Sequence, residues 1–444
     1  MKTNIKKIST PVFTEQGGKA SKVNYTEQLR RTVLTCLLWE KNAYENGVSV
    51  VDRIKELIPK VDAGTVRDII KECAQMGLRH VPLLMISELS KIKGKGPLVR
   101  DALVSAIKRP DSMAELLSIY WLDGKRPIAN AIKKGLAQVF PTFSEYQLAK
   151  YHGIGNSISL RDVMFLVHPT PVSEEQAAIW KSLANNELKG ADTWEVALSA
   201  GKDKKETFER LLVEKRLGGL ALVRNLRNML EAKVDNNLIR EALNSGVKGV
   251  WPYQFAVAAQ VAPSLEDAIE NSMFKALELL PKLEGKTCLL VDVSGSMDTT
   301  LSTGQRNSEF STSRLDVATS LAMLLRELSD NISVATFSTN VKQVPPRRGF
   351  GLKEAIIKSQ PHGSTQLKSA LNYVRPQWID AERVIIITDE QSSDGIINTW
   401  CNSSWIINVA NNRNGVGYEK GWRHIHGWSD SVVRYISEME KFKG

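Results

Sequence analysis

The sequence predicts a two-part fold, in which a long array of α-helices is followed by an α/β domain with a doubly wound parallel sheet. From residue 23 to 284, apolar residues recur at helical spacing in short segments separated by Gly or Pro. After Lys286 the pattern changes to apolar strands that alternate with amphipathic helices. We therefore divide the chain into an N-terminal arm (1–22), a helical domain (23–284) and an α/β domain (285–444). The last helix of the α/β domain could pack against the helical domain.

The helical part is built from successive amphipathic segments that end at turn-forming residues. The run 27–47, EQLRRTVLTCLLWEKNAYENG, places its apolar residues on one face, and a later helix stops at Gly77. Two further helices end at Pro110 and Pro141. Antiparallel helix pairs joined by short turns are typical of stacked α-repeats of the HEAT type. No strict sequence period is visible, so this prediction depends on architecture alone.

The α/β part contains apolar runs that are too continuous for strands with one solvated face. TCLLVDVSGSM (287–297) is a buried strand that runs into a polar loop, and 331–344 is the next strand. RVIIITDEQSS and SWIINVANN supply two more strands, and the helix 313–328 connects the first two. Strands buried on both faces and separated by helices indicate a parallel, doubly wound, Rossmann-like sheet.

Five side chains with oxygen atoms follow the predicted strands of this sheet or precede a predicted helix of the same domain. They are Asp292, Ser294 and Ser296 after the first strand, Thr365 before a helix, and Asp389 at the end of VIIITD. Because ligands bind beyond the carboxyl ends of parallel strands, we expect these groups to meet at one edge. Hydroxyl and carboxylate oxygens suit Mg²⁺ or another hard divalent cation. The alternative for each single residue is a helix cap or a turn.

The composition of the chain indicates which structural class of protein it belongs to. With 42% hydrophobic and 24% charged residues it is a globular protein, and no apolar run approaches the ~18 residues of a membrane span. The basic N-terminus lacks the apolar stretch of a secretory signal. The four cysteines lie far apart, and Cys36 and Cys288 sit in apolar runs as expected of core residues. We therefore expect a cytoplasmic protein with no membrane partner.

The positive charge is concentrated in the helical part. Residues up to 284 contain 41 Lys and Arg against 33 Asp and Glu, a net charge of +8, whereas the remainder has 18 against 16, a net of +2. Such an excess favours a polyanionic partner, although ordinary solubility explains it equally well.

The two parts resemble two known families. The order DVSGS, then a Thr, then an Asp is similar to the metal-ion-dependent adhesion site of von Willebrand factor A domains. The helical part resembles the TROVE module of the Ro autoantigen and related telomerase and vault proteins. This second resemblance rests on EQLRRTVLTCLLWE, on 146–171 and 250–260, and on KTCLLVDVSGSM at the expected junction. A length of 444 residues is compact for the family, as in a bacterial or phage-like member, and LRDVMFLVHP matches its Leu/His-Pro pattern only approximately.

The resemblance implies a ring of helical repeats closed by the α/β domain. Small structured noncoding RNA of the Y type would bind the outer basic surface, and single-stranded 3′ ends of misfolded RNA would enter the central hole. The protein would then be an RNA-binding scaffold in RNA quality control or processing, and we expect a monomer. The metal site would receive an acidic residue of a protein partner, for example an exoribonuclease.

Candidate RNA-binding residues are basic or aromatic. Most of them cluster around three helices and their turns, and a second basic run lies on a later helix. We select Lys125, Arg126, Lys133, Lys134, Lys150, Tyr151, His152, Arg161, His168, Arg224 and Arg227. Lysines on an amphipathic helix are often only a solvated face, and a His before Pro169 can instead interact with the last carbonyls of its helix. Ser159 and Asp162 have the spacing of a capping box, so Asp162 is assigned a structural role.

No motif of a nucleotide-binding loop, hydrolase or zinc protease occurs in the sequence. Nuclease sites usually clamp their metals with several carboxylates, whereas the predicted first shell here is mainly hydroxyl. We therefore expect a protein that is not an enzyme. The alternative function is a metal-dependent protein-interaction adaptor whose α/β domain grips an acidic residue of its partner.

Overall fold

The computed structural model describes residues 11–35, 47–152, 157–188, 190–278, 280–303, 311–429 and 431–441. Cys36 and much of the predicted helix 27–47 lie outside these residues. The described part contains the predicted helical array and the predicted α/β domain, and Cys288 is buried as expected. Among the described residues, no helix has both the length and the apolar character needed to cross a bilayer.

The helical part follows a short hairpin of two strands, β1 (Val12–Phe13) and β2 (Lys19–Ala20). The helices, in chain order, are α1 (Tyr25–Leu34), α2 (Gly47–Leu57), α3 (Ala63–Gln75), α4 (His80–Leu89), α5 (Gly96–Ala106), α6 (Asp111–Tyr120), α7 (Asn130–Val139), α8 (Glu145–Tyr151), α9 (Leu160–Val167), α10 (Glu174–Ala184), α11 (Trp194–Ser199), α12 (Lys204–Val213), α13 (Gly219–Arg224), α14 (Leu226–Glu231), α15 (Asn236–Asn244), α16 (Pro252–Val261) and α17 (Glu266–Leu277).

The first helices stack in two layers. Helix α3 packs against α5 and α5 against α7, while α4 packs against α6. Contact between every second helix is the arrangement of an α-solenoid, because each repeat buries its apolar face against its neighbours. A core of residues between Leu29 and Ala191 holds this half together. The later helices, from Phe208 onward, instead share one continuous core with a face of the sheet.

The α/β part begins with β3 (Leu283–Asp292) and continues with β4 (Thr300–Thr303), β5 (Ser311–Ser313), α18 (Arg314–Leu328), β6 (Ser329–Phe337), β7 (Val341–Gln343), α19 (Gly349–Ile357), α20 (Leu367–Val374), β8 (Arg383–Thr388), β9 (Ser403–Asn408), β10 (Arg423–His426) and α21 (Ser431–Lys441). The six-stranded sheet has the order β10-β9-β8-β3-β6-β7. Strands β3 and β8 are parallel neighbours, and from this point successive strands are added to the sheet in opposite directions, toward β6 on one side and toward β9 on the other. This is the switch point at which doubly wound sheets bind ligands.

The sheet departs from the sequence prediction at both edges. The segment 331–344 was expected to be one strand, but the chain turns at Ser338 and Asn340 and returns as β7, antiparallel to β6. At the other edge, β10 pairs in parallel with β9 although its sequence, RHIH, has no apolar run. Helix α21 contacts the sheet, since Glu440 pairs with Arg383 at 2.7 Å. Both unpredicted strands lie at an edge, where side chains need not be apolar.

Both ends of the helical array contact the α/β domain. Helices α16 and α17 pack against α18, and α17 also contacts α19. At the other end α1 contacts β10. The helical array and the α/β domain together therefore form a closed ring.

Arg31 of α1 is the centre of the contact that closes this ring. Its side chain is fully buried, and its Nη1 atom lies 3.1 Å from Glu390 Oε2 and 2.7 Å from Tyr418 Oη. The remaining donors reach the carbonyl oxygens of Asn412 at 2.7 Å and Asn414 at 3.2 Å. A buried guanidinium is tolerated only when it is paired and hydrogen-bonded in this way.

Two histidines of β10 complete this buried polar contact. His424 stacks on Tyr418 with ring centroids 3.8 Å apart, and its Nε2 lies 3.7 Å from Glu390. His426 accepts a hydrogen bond from Asn408 at 3.2 Å, while its other ring nitrogen is 3.8 Å from Glu27, beyond hydrogen-bond distance. Burial lowers the pKa of His426 to about 4.

We predict that His426 makes the folded chain acid-sensitive. The unfolded chain takes up this proton below its ordinary pKa of 6.5, whereas the folded chain resists until about 4. The unfolding free energy should therefore fall by about 2 kcal/mol from roughly pH 7.5 to roughly pH 5 through this residue alone. Urea unfolding of His426→Gln should show a correspondingly smaller loss, and an equal loss in both chains would contradict the prediction.

Candidate functional site

Four of the five predicted metal ligands lie together at the carboxyl edge of β3 and β8, and the loop of Thr365 packs beside them. The backbone N–H of Ser294 donates to Asp292 Oδ1 at 2.9 Å, and the hydroxyls of Ser294 and Ser296 lie 3.3 Å apart. A hydrogen bond from Ser296 also reaches the Asp389 carboxylate of the neighbouring strand end. The fold itself thus brings four of the five groups together, as expected for adjacent parallel strands.

Thr365 joins the cluster through two backbone contacts between loops. Gly295 donates its N–H to the carbonyl of Gly363 at 3.0 Å, and a Cβ on Gly295 would lie 3.3 Å from the carbonyl of His362. This close approach favours glycine between the two serines. On its other side, Ser393 donates its N–H to the Thr365 carbonyl at 2.8 Å. The Thr365 loop is therefore held between the loops that follow β3 and β8.

The two carboxyl groups of the cluster are buried beside each other. Asp292 is fully buried and Asp389 is 1% exposed. Burial, followed by the charge of the nearby Asp389, raises the pKa of Asp292. Burial likewise raises the pKa of Asp389. Two buried carboxylates repel and resist ionisation unless a positive charge accompanies them.

The cluster fits a small divalent cation. The Thr365 hydroxyl is fully buried and has no hydrogen-bond partner, so it is an unused oxygen ligand. Among the residues that the structure describes, no three His, Cys, Asp or Glu side chains gather as metal ligands. The donor set here is instead two carboxylates and three hydroxyls, all hard oxygen atoms that suit Mg²⁺. A bound cation would neutralise both carboxylates and engage the Thr365 hydroxyl.

Two residues that hydrogen-bond to the carboxylates of this cluster were not predicted from the sequence. The Thr388 hydroxyl donates to Asp292 Oδ2 at 2.6 Å, and the Gln391 N–H donates to Asp389 Oδ1 at 3.0 Å. Both residues lie within two positions of Asp389, so their place in the sequence could have predicted that they lie beside the strand end. Such outer contacts orient metal ligands.

Three of the candidate RNA-binding residues form a group at the end of α8. The Tyr151 ring lies 4.7 Å from the guanidinium of Arg109 and 5.7 Å from the ammonium of Lys150. Lys150 also pairs with Glu195 at 3.7 Å, which neutralises part of its charge. His152 follows as the C-cap of α8, and its Nδ1 is buried without a partner. Arg109, just before α6, was not among the candidates because it is distant in sequence.

Helix α9 carries the second group. The Arg161 guanidinium lies over the Phe165 ring at 5.6 Å, and Phe165 is 53% exposed. His168 caps the C-terminus of α9 in the left-handed conformation, with φ of 51°, and is exposed. The capping box of Ser159 and Asp162 is present as predicted. Phe165 was not among the candidates. Its position one helical turn after Arg161 could have predicted that the two side chains lie on the same face of the helix.

The remaining candidates lie on turns and on other helices. Arg126 is held over the Tyr120 ring at 4.2 Å, and Lys125 beside it is exposed. On α7, Lys134 is exposed and Lys133 is half-buried. Arg224 and Arg227 are exposed on α13 and α14, in the half of the helical array that shares a core with the sheet. Arg227 pairs with Glu231 at 3.1 Å, and no contact joins these two arginines to the α8 and α9 groups within the described residues.

Comparison with solved structures identifies the architecture. The chain is similar to the crystal structure of the Deinococcus radiodurans RO (RSR) protein, with a TM-score of 0.62 and 16% sequence identity, covering 95% of this chain and 100% of that one. The chain has the Ro fold. No protein-family model matches the sequence, and no curated protein matches it either.

The Ro fold accounts for both parts of the chain in a single alignment. Because the likeness covers 95% of the residues, it includes the helical array as well as the α/β domain. The predicted combination of helical ring and doubly wound sheet is therefore confirmed. At 16% identity the likeness concerns the fold, and the roles of individual side chains follow from their own contacts.

We predict that Asp292→Asn raises the melting temperature of the metal-free chain and abolishes its response to Mg²⁺. The substitution removes one of two buried, mutually repelling carboxylates and keeps the acceptor for the Ser294 N–H. The parent chain should gain about 2.7 kcal/mol of stability at roughly 100 times the dissociation constant for Mg²⁺. Asp330→Asn, an exposed carboxyl of the same domain, is the control. Equal Mg²⁺ responses in all three chains would contradict the assignment.

Proposed function

We propose that this protein binds RNA on the basic outer surface of its helical ring and acts as a scaffold, not as an enzyme. Its RNA ligands would be small structured noncoding RNAs of the Y type and single-stranded 3′ ends of misfolded RNA. We place its activity in the cytoplasm and expect a monomer. The observation that carries the proposal is the pairing of arginine with accessible aromatic rings on neighbouring helices of the array.

The Arg161–Phe165 pair has the properties of a stacking site for an unpaired base. Phe165 is 53% exposed, so its side chain is accessible to a base. The guanidinium at 5.6 Å contributes a positive charge and a second flat surface. Bases stack on aromatic rings and on guanidinium planes without regard to sequence, while the positive charge neutralises phosphate.

The Tyr151 group repeats this combination. Its ring lies near both Arg109 and Lys150, so an aromatic face and two cations occur together, although Arg109 also pairs with Asp111 at 2.6 Å. The net charge of +8 over residues 1–284 supplies the long-range attraction that such a surface needs. The RNA class that we propose rests on the resemblance to the TROVE family. The side chains themselves support RNA binding in general.

A direct test compares RNA affinities of variants in the α9 group. We expect Arg161→Ala and Phe165→Ala each to weaken binding of a hairpin RNA with an unpaired 3′ tail of about ten nucleotides by about 1–3 kcal/mol. Arg434→Ala, an exposed arginine of α21 that pairs with Glu438, should leave the affinity unchanged. Fluorescence anisotropy over a series of salt concentrations measures these affinities.

Two outcomes of this test would count against RNA recognition. Equal affinity for the tailed RNA and for duplex DNA of the same charge would indicate non-specific attraction only. Equal losses for Arg434→Ala and Arg161→Ala would show that net charge, and not the α9 group, determines binding.

The metal cluster favours a second function for the same chain, that of a metal-dependent adaptor for a protein partner. A cation held mainly by hydroxyls remains electrophilic and attracts an external carboxylate. An exoribonuclease that presents an acidic residue would fit this site and would act on the bound RNA. Partner capture by the tagged chain should then require Mg²⁺, resist ribonuclease treatment and fail with Asp292→Asn. Capture that ribonuclease abolishes would instead assign the partner to the RNA.

A further inference from the structure

The N-terminal hairpin β1–β2 contacts both loops that carry the outer metal ligands. The Thr365 N–H donates to the side-chain oxygen of Gln16 at 3.3 Å. The N–H of Glu15 donates to the side-chain oxygen of Gln391 at 2.8 Å, two residues beyond Asp389. The turn of the hairpin therefore holds residues adjacent to, or part of, the metal site.

The hairpin also fits closely against the backbone after Asp389. The Thr14 hydroxyl donates to the Ser392 carbonyl at 2.8 Å. A Cβ on Gly18 would lie 2.1 Å from that same carbonyl oxygen and 2.8 Å from the carbonyl carbon of Ser393. Since these are backbone atoms that cannot swing aside, only glycine allows the approach. The fit is specific and depends on the conformation of this loop.

The segment 389–393 connects the hairpin to the metal ligands. The Gln391 N–H donates to the Asp389 carboxylate at 3.0 Å, while the side chain of Gln391 receives the bond from Glu15. Ser393 donates through its N–H and its hydroxyl to the Thr365 carbonyl, at 2.8 and 2.9 Å. A change in this segment therefore alters both ligands and the docking surface of the hairpin.

The same segment supports the helix that follows the hairpin. Glu390, directly after the ligand Asp389, adopts a φ of 60° and pairs with Arg31 of α1. A positive φ is costly for a side chain of this size and persists only when surrounding contacts hold it. The N-terminal residues 14–31 thus select one conformation of the loop on which Asp389 lies.

We propose that the N-terminal hairpin is a wall of the metal site, so that cation binding and hairpin docking stabilise each other. The proposal rests on the metal-binding part of the proposed function. Both events require the same conformation of 389–393, and linkage makes the effect reciprocal. Because α1 follows the hairpin and closes the ring through Arg31, a bound cation would also favour the closed ring. Gln16 is in this view a positioning residue for Thr365.

The experiment uses the full chain and Mn²⁺ as the probe. Titration calorimetry first measures Mn²⁺ affinity, and hydrogen–deuterium exchange then follows residues 11–34 with and without saturating Mn²⁺. We expect slower exchange of this segment when Mn²⁺ is bound. Gln16→Ala should weaken Mn²⁺ binding by about fivefold or more, and Asp292→Asn should abolish the protection. Gln138→Ala, which removes an exposed glutamine from α7, is the matched control and should change neither quantity.

The two readouts separate the two claims. Mn²⁺ binding to the parent chain with unchanged exchange of residues 11–34 would overturn the linkage and leave the metal site intact. Unaltered Mn²⁺ affinity in Gln16→Ala would overturn the positioning role of Gln16. Absence of any Mn²⁺ binding to the parent chain would overturn the metal site itself, and the linkage with it.

Discussion

The contact that closes the helical array on the α/β domain has a buried ion pair at its centre, between Arg31 near the N-terminus and Glu390. Both side chains are fully buried, and 359 positions separate them in sequence. Taking two charges out of water is costly, and the cost is offset only because every side of the guanidinium finds an acceptor. Breaking such a pair leaves one buried charge without compensation, at about 3–5 kcal/mol. The contact therefore fixes which surfaces meet and tolerates few alternatives.

This ion pair lies next to the candidate metal site in the sequence. Glu390 follows Asp389, so a residue of the contact that closes the ring and a candidate metal ligand are neighbours on one loop. The arginine–aromatic pairs at α8 and α9 involve neither of these residues. The candidate metal ligands and the candidate RNA-binding residues of α8 and α9 are thus built from separate elements.

The sequence predicted those features whose signal is local. Asp292 and Asp389 were recognisable because each directly follows an apolar run, and a parallel sheet brings such strand ends together. The capping box at Ser159 was recognisable because its residues are three positions apart. The helical array and the doubly wound sheet were predicted from the change in apolar periodicity at Lys286, whereas the closed ring was implied by the resemblance to the TROVE family.

What the sequence did not reveal depends on contacts between distant segments. Arg31 is a polar residue within an amphipathic helix, and only the fold shows that it is buried and paired. Gln16 and Thr365 are 349 positions apart, and Arg109 meets Tyr151 across two helices. Strand β10 carries two histidines that are buried by α1 and by the loop of Tyr418, so its sequence lacks an apolar strand pattern. Long-range pairing of polar residues leaves no local pattern.

We expect the Arg31–Glu390 contact to hold the helical ring closed on the α/β domain. Small-angle X-ray scattering of Arg31→Met, with circular dichroism on the same samples, tests it most directly. We expect a larger radius of gyration than that of the parent chain at unchanged helical content. Superimposable scattering profiles from the two chains would contradict it.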